Sequence, residues 1–254
     1  MRPIEDQTVL VTGATAGIGE ELARRLVGLG AQVLVHGRSM ERAEAAVRRI
    51  GGGEPVAADL GSFSQVRRLI GEVGGLDALV NNAGIGYGTA PRRGARTEDG
   101  FEATWQVNFL SAFLLSAGLR DRLSGGRIVH MSSGVHSSGS VDLEQPDEPR
   151  FATPYAQSKI ALVMLAREQG ERWREITSSA CSPGWIATKM GGAGGGSLDQ
   201  GVDTPLWLLT DPDLDGVSGR YFWQRREEEP NPQTEDADAR RRLWELAERA
   251  VSAA

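Results

Sequence analysis

Short β-branched runs alternate with longer helical patterns along nearly the whole chain, and few architectures accept that order. Strand, helix and strand in succession build a parallel sheet whose faces are covered by the intervening helices. Residues 8–12 (TVLVT), 32–36 (QVLVH), 54–58, 77–80 (DALV), 127–132 (RIVHMS), 176–181 and 220–223 read as seven strands. Helices are expected over 17–29, with a Leu22, Leu26 and Leu29 stripe, over 39–50 behind a Ser39 cap, and over 62–73. A long helical stretch interrupted after Gly100 ends near 123, and helices over 153–173, 198–209 and 237–251 follow. The expected class is therefore α/β: a doubly wound, mostly parallel seven-stranded sheet flanked by helices. No internal repeat or Pro/Ser-rich linker divides the 254 residues, so one domain is expected. The run 191–196 (GGAGGG) cannot hold regular structure on its own and reads as a mobile loop. Residues 225–232 (RREEEPNP) read as a solvated charge run, and Trp244 as a core anchor.

The turn after the first strand reads Thr12-Gly13-Ala14-Thr15-Ala16-Gly17-Ile18-Gly19. Glycines there let the chain tighten and a phosphate approach the backbone, while the helix N-terminus offers unpaired N–H groups. Between a strand and a helix, this string points to a dinucleotide in a single-domain Rossmann fold, held by Gly13, Thr15, Ala16, Gly17, Ile18 and Gly19. The half 1–125 is then mainly cofactor-binding, and 126–254 carries catalysis and substrate. At the end of the second strand an NAD site favours a carboxylate for the ribose 2′-hydroxyl, whereas Arg accommodates a 2′-phosphate. The chain has His36-Gly37-Arg38-Ser39, so Arg38, with Ser39 as a further donor, favours NADP(H) over NAD(H). Asp59 and Leu60 are placed to close over the adenine edge, although an Asp before a helix serves equally as a cap. Asn81-Asn82-Ala83-Gly84 follows the fourth strand; Asn81, Ala83 and Gly84 are assigned to the cofactor, and the amides can also tie neighbouring strands.

Ser132 and Ser133 end the fifth strand, and Tyr155-Ala156-Gln157-Ser158-Lys159 opens the next helix. Tyrosine and lysine four apart share a helical face. A phenol of pKa ~10 is a poor base at neutral pH, and lowering it to ~7 requires about 4 kcal/mol from a nearby ammonium in a partly desolvated site. Lys159 and Lys189 are the only lysines in an arginine-rich chain, which makes a lysine at this spacing more informative. The formal net charge of −6 argues against a nucleic-acid footprint. No apolar run reaches the ~20 residues of a membrane span, and the first residues, MRPIEDQ, show no signal-peptide pattern. Cys181 is the sole cysteine, which suits a reducing cytoplasm, and it reads as a small core residue before a nucleophile. His36, His130 and His136 have no metal-ligand spacing, so no metal is expected.

In this order, TGxxxGIG, NNAG, the strand-end serine, YxxxK and Pro183-Gly184-x-x-x-Thr188 resemble the short-chain dehydrogenase/reductase superfamily over essentially the whole chain. Gly100-Phe101-Glu102 before Val107-Asn108, the long insert between Ser133 and Tyr155, and the ending Ser218-Gly219-Arg220-Tyr221-Phe222 are similar to its retinol-dehydrogenase-like branch. The resemblance implies an NADP(H)-dependent oxidoreductase interconverting a carbonyl and an alcohol, with Tyr155 as general acid/base. It implies that Lys159 holds the nicotinamide ribose and lowers the Tyr155 pKa, and that Ser133 bonds the substrate oxygen. The choice of Ser133 over Ser132 comes from the family pattern alone. Asn108 is implied to anchor a water linking Lys159 to solvent, and Pro183, Gly184, Ile186 and Thr188 to bracket the nicotinamide end. Tyr87, Trp185 and Met190 are assigned to apolar pocket walls, positions that ordinary packing would also fill. The chain starts at its first strand, without the apolar anchor of membrane-bound retinol dehydrogenases, and its segment after Thr188 is short and glycine-rich. A membrane anchor and a retinoid substrate are therefore not expected; a lipophilic small molecule is. The alternative is a dinucleotide-binding regulatory or sensing protein, which the presence of both Tyr155 and Lys159 disfavours. A homodimer and a monomer stay open: the helix opening at Tyr155 often pairs in family dimers, yet its outer face carries Arg167, Glu168, Glu171 and Arg172.

Overall fold

The computed structural model describes residues 2–89, 94–123, 125–148, 150 and 152–252. Strands β1 (Thr8–Val11), β2 (Gln32–Gly37), β3 (Glu54–Ala57), β4 (Ala78–Asn81), β5 (Arg127–Met131), β6 (Thr177–Cys181) and β7 (Arg220–Trp223) are parallel neighbours in the order 3-2-1-4-5-6-7. The helices are α1 (Gly17–Gly28), α2 (Met40–Ile50), α3 (Phe63–Glu72), α4 (Ala103–Trp105), α5 (Ser111–Gly118), α6 (Pro154–Arg172), α7 (Leu198–Thr210) and α8 (Ala237–Ser252). Strand order reverses at β1, and a crevice opens where the chain leaves β1 and β4 toward opposite faces.

Side-chain alternation along the central strands assigns the two cores. Leu10 of β1 and Leu79 of β4 face the layer of α3, α5, α6 and α8, with Phe63, Phe113, Leu165 and Trp244. Val9, Val11 and Val80 face the opposite layer, against Leu22 and Leu26 of α1, Ala46 of α2 and Leu209 of α7. Both sheet faces are thus covered, which is why these strands are nearly continuous in β-branched and aliphatic residues.

Three expectations change. The sheet has an eighth strand, β8 (Arg226–Glu227), antiparallel to β7 and only two residues long. Gln224 and Arg225 make its turn with φ of 48° and 57°, a left-handed pair that sequences normally signal with Asn or Gly. The charge run stays exposed, but part of it is sheet edge. The helix ahead of β5 contains a π turn (Gln106–Leu110) between α4 and α5. The glycine run 191–196 is not structureless: Gly196 N–H donates to Trp185 O (2.7 Å), Ala187 N–H to Gly196 O (2.9 Å) and Gly192 N–H to Thr188 O (2.9 Å). Glycine is required for this wrap, because a Cβ on Gly191 would lie 2.2 Å from the Ile186 carbonyl oxygen.

The outer face of α6 is occupied by α8. Arg240 pairs with Glu168 (3.4 Å) and with Glu171, and the Arg172 guanidinium lies 4.6 Å from the Trp244 ring. Trp244 in turn packs edge-on against Phe113 (4.9 Å) and Trp173 (5.6 Å), the anchor its sequence position suggested.

Two histidines are built into the interior as neutral rings. His36 accepts from Gly13 N–H through Nδ1 (3.1 Å) and bonds the Ala58 carbonyl through Nε2 (3.0 Å). His130 sits between Asn81 Nδ2 (3.3 Å) and Gln169 Oε1 (2.8 Å). Burial pushes both down to about 4. An unfolded histidine titrates near 6.5, so the unfolded chain binds more protons between these values. Their contribution is complete above pH ~6.5 and falls as pH drops through 4, by about 3 kcal/mol each at the limit. The urea midpoint should therefore decline steadily from pH 6.5 to 4.5, and more shallowly in His130→Gln; a flat wild-type profile would contradict the buried neutral rings.

Candidate active site

The glycine turn is fastened to the sheet by one hydroxyl. Thr12 Oγ1 donates to Val80 O (3.0 Å) and accepts from the N–H groups of Asn82 (2.9 Å) and Ala83 (3.0 Å). Asn82 Nδ2 returns a bond to Thr12 O (2.7 Å). Gly13 and Gly17 take φ of 65° and 59°, and a Cβ on Gly13 would lie 2.8 Å from Ala83 Cα. A Cβ on Gly19 would lie 2.4 Å from Asn82 Nδ2. Side chains are excluded at these positions by backbone conformation and by contact.

A cleft of about 720 Å³ opens above this turn. Gly13, Thr15, Ala16, Gly17, Ile18 and Gly19 form one wall, and α1 begins there behind Ala16 with no side-chain cap on its N-terminal N–H groups. Arg38, Asp59 and Leu60 line one end, Ala83 and Gly84 the middle, and Tyr155, Lys159, Pro183, Thr188 and Met190 the other. The uncapped helix start and the glycine cradle fit an elongated, phosphate-bearing dinucleotide. Four expected cofactor residues lie outside this lining. Ser39 caps α2 by accepting from Arg42 N–H (3.5 Å), and the Asn81 amide turns to Ser116 Oγ (3.1 Å) and His130. Gly184 and Ile186, with Trp185, border a neighbouring cavity that shares Pro183 with the cleft. Asp59 does both things expected of it, lining the cleft and accepting from Gly61 N–H (2.9 Å).

Sequence reasoning missed Arg42 and Gly86, while the strand tie expected of the Asn81-Asn82 amides is made by Asn82. Arg42 lines the same end as Arg38, and its place one turn into α2 is readable from the Ser39 cap. His36 holds the first glycine of the turn, a role no linear signal carries.

At the other end, Thr153 caps α6 by accepting from Ala156 N–H (3.1 Å), which starts the helix at Pro154 and brings Tyr155 and Lys159 to one face. Lys159 Nζ donates to Met131 O (2.7 Å) and stands 5.3 Å from the Tyr155 ring centre. Ser132 is committed, donating to Lys159 O (2.8 Å), whereas the Ser133 hydroxyl accepts from Val135 N–H (3.4 Å) and acts to lower the Tyr155 phenol. Burial pushes Tyr155 up to about 12, outweighing Ser133, and pushes Lys159 down to about 8. Desolvation sets the direction at both groups, and Tyr155 stands as a protonated phenol at neutral pH.

Asn108, within the π turn, accepts from Ile85 N–H (2.8 Å) and donates to Ile85 O (3.0 Å) and Ser158 Oγ (3.0 Å). Its side chain therefore clamps a backbone segment. The next residue, Gly86, lies on the Tyr155 ring so closely that a Cβ would stand 2.3 Å from Cδ2. Tyr87, with φ of 42°, tilts its ring against Tyr155 at 5.0 Å between centres. The π turn, Ile85 and Gly86 thus fix the plane of Tyr155.

A family profile described as short chain dehydrogenase matches residues 7–195. The chain belongs to this family. It is 35% identical to DnrU of Streptomyces sp. (strain C5), named as a daunorubicin C-13 ketoreductase, over 96% of this chain and 92% of that protein. Human retinol dehydrogenase 13 is 33% identical, over 98% of this chain and 85% of its own length. A solved structure of an uncharacterized protein from Mycobacterium paratuberculosis superposes with a TM-score of 0.83 at 31% identity, covering 99% of this chain and 96% of that one. A blue fluorescent protein from a metagenomic library, solved with NADPH, gives 0.70 at 27% identity, over 88% and 98% of the two chains. This short chain dehydrogenase has no helix long and apolar enough to cross a membrane, and no cluster of metal-ligating side chains, among the described residues.

In Gly86→Ala the added methyl must displace the Tyr155 ring, and a misplacement of about 1 Å costs on the order of 100-fold in rate. Turnover should fall by that order while dinucleotide affinity, set at the other end of the cleft, stays within about threefold. Steady-state kinetics beside a dinucleotide titration would show the split, and an unchanged kcat would refute the contact.

Proposed function

We propose that this enzyme interconverts a lipophilic carbonyl and its alcohol with NADP(H), Tyr155 giving a proton to the substrate oxygen in reduction and taking it back in oxidation. The observation that carries this is the half-buried, protonated Tyr155 phenol, influenced by Ser133 and one helical turn from Lys159, at one end of the elongated cleft. The nicotinamide, when bound, supplies or accepts the hydride. Ser133, whose hydroxyl hydrogen is not spent on Lys159 O as that of Ser132 is, would hold the substrate oxygen and stabilise charge growing on it. Lys159, held by the Met131 carbonyl, is placed for the ribose hydroxyls and adds positive charge beneath the phenol. Thr188 and Pro183 border the same end.

Preference for NADP(H) rests on the opposite end. Arg38 and Arg42 both face the cleft, and among the described residues neither makes an ion pair with a carboxylate. Two uncompensated guanidiniums suit a 2′-phosphate. A Cβ at position 37 would meet the Thr15 methyl at 2.7 Å, which supports a small residue there and leaves Arg38 as the next side chain at that strand end. Names among the relatives, a ketoreductase and a retinol dehydrogenase, support a lipophilic substrate. A lone buried cysteine and the lack of a membrane-crossing helix among the described residues fit a cytoplasmic enzyme. With the outer face of α6 covered by α8, a monomer fits better than a dimer through that helix.

Tyr155→Phe should lose turnover by at least about 1000-fold while NADPH still binds with near wild-type affinity; retained activity would overturn the assignment. Arg38→Leu should weaken NADPH about 10- to 100-fold, the worth of a charge-assisted bond, and leave NADH within about threefold. Equal losses for both dinucleotides in a titration would remove the argument for a 2′-phosphate site.

A further inference from the structure

Three aromatic side chains are well exposed among the described residues, Tyr87 (68%), Trp185 (67%) and Trp223 (42%). Each stands beside the cleft rather than in the cleft wall itself. Tyr87 packs on Tyr155, Trp185 follows the Pro183–Gly184 turn, and Trp223 ends β7 with its Nε1 3.8 Å from where a Gly184 Cβ would be. Trp185 and Trp223 border the neighbouring cavity of about 480 Å³, which shares Pro183 with the cleft wall. An exposed indole forfeits burial energy, and two beside one cavity mark a surface meant to be covered.

Trp185 is also held in place. Its indole N–H donates to Gly191 O (2.7 Å), and Gly194 lies on its ring, where a Cβ would come 3.0 Å from Cη2. The glycine wrap therefore fixes one edge and part of one face of the indole and leaves two thirds of the residue open. Such a ring binds with little further loss of side-chain freedom. The two carboxylates in the cavity wall are already neutralised, Asp199 by Arg25 and Asp203 by Arg225. The cavity thus offers flat apolar faces and no uncompensated charge.

We infer that the cavity between Trp185 and Trp223 receives the ring system of a flat, uncharged aromatic ketone whose carbonyl reaches Tyr155. This rests on the carbonyl reading of the Tyr155 site and narrows it from lipophilic substrates at large to planar ones over flexible chains. Rings gain from stacking on preset indoles, whereas an alkyl chain gains only buried area and loses its own rotamer freedom.

The test compares two methyl ketones, 2-acetylnaphthalene and 2-undecanone, with NADPH. The wild type should favour the ring ketone in kcat/KM. Trp223→Ala should lower the ratio of ring to chain ketone about tenfold through KM, and Trp223→Phe should restore most of it. Quenching of tryptophan fluorescence by 2-acetylnaphthalene should saturate in the wild type and in Tyr155→Phe, and weaken about tenfold in Trp223→Ala. A ratio unmoved by Trp223→Ala, or no saturable quenching, overturns the inference. Saturable, Trp223-dependent quenching with no turnover of either ketone supports the ring site and defeats the carbonyl reading alone.

Discussion

One threonine hydroxyl ties together the parts of this enzyme that must not move relative to each other. Thr12 Oγ1 joins the end of β1 to Val80 on β4 and to the two N–H groups that begin the next loop. It sits where strand order reverses, so the cleft above it is opened by topology and closed at its base by three hydrogen bonds. The glycine turn, the Ala83–Gly84 backbone and, through Ile85, the segment lying on Tyr155 all start from this point. A methyl at Gly13 or Gly19 would press the two loops apart, so glycine here sets a distance between chain segments as much as a turn.

The sequence was most legible where local chemistry decides. Short β-branched runs located seven strands, Ser39 marked the start of α2, and the glycine string and YxxxK lie where strand ends meet helix starts. It was least legible where long-range packing decides. The π turn at Asn108 has no composition signal, and β8 hides behind a turn of Gln224 and Arg225 that carries neither Asn nor Gly. The glycine run looked unconstrained because its partners, Trp185 and Ile186, impose order from outside it. The helix of Tyr155 shows no clear amphipathic stripe, since the sheet lies on one side and α8 on the other.

Electrostatics at the reaction centre runs against the simplest reading of a tyrosine beside a lysine. Burial raises the phenol and lowers the ammonium, so the pair by itself holds its proton on oxygen. That state suits a group waiting to donate. Ser132 and Met131 spend their polar atoms on orienting Lys159, and Asn108 spends its amide on the backbone that meets the ring. The orientation of Lys159 and of the backbone that meets Tyr155 is thus set by groups whose own polar atoms are already taken up.

The covering of α6 by α8 bears on how the molecule is assembled. Arg240 and Trp244 come after every strand in chain order, yet they pack on the helix that carries Tyr155 and Lys159. That helix has little amphipathic character to hold it against the sheet early, and its outer charges wait for partners about seventy residues downstream. Contacts of such long range form late in folding. The glycine turn is fastened across the same span, Thr12 to Val80, Asn82 and Ala83, so both ends of the cleft are completed by contacts of about equal sequence separation.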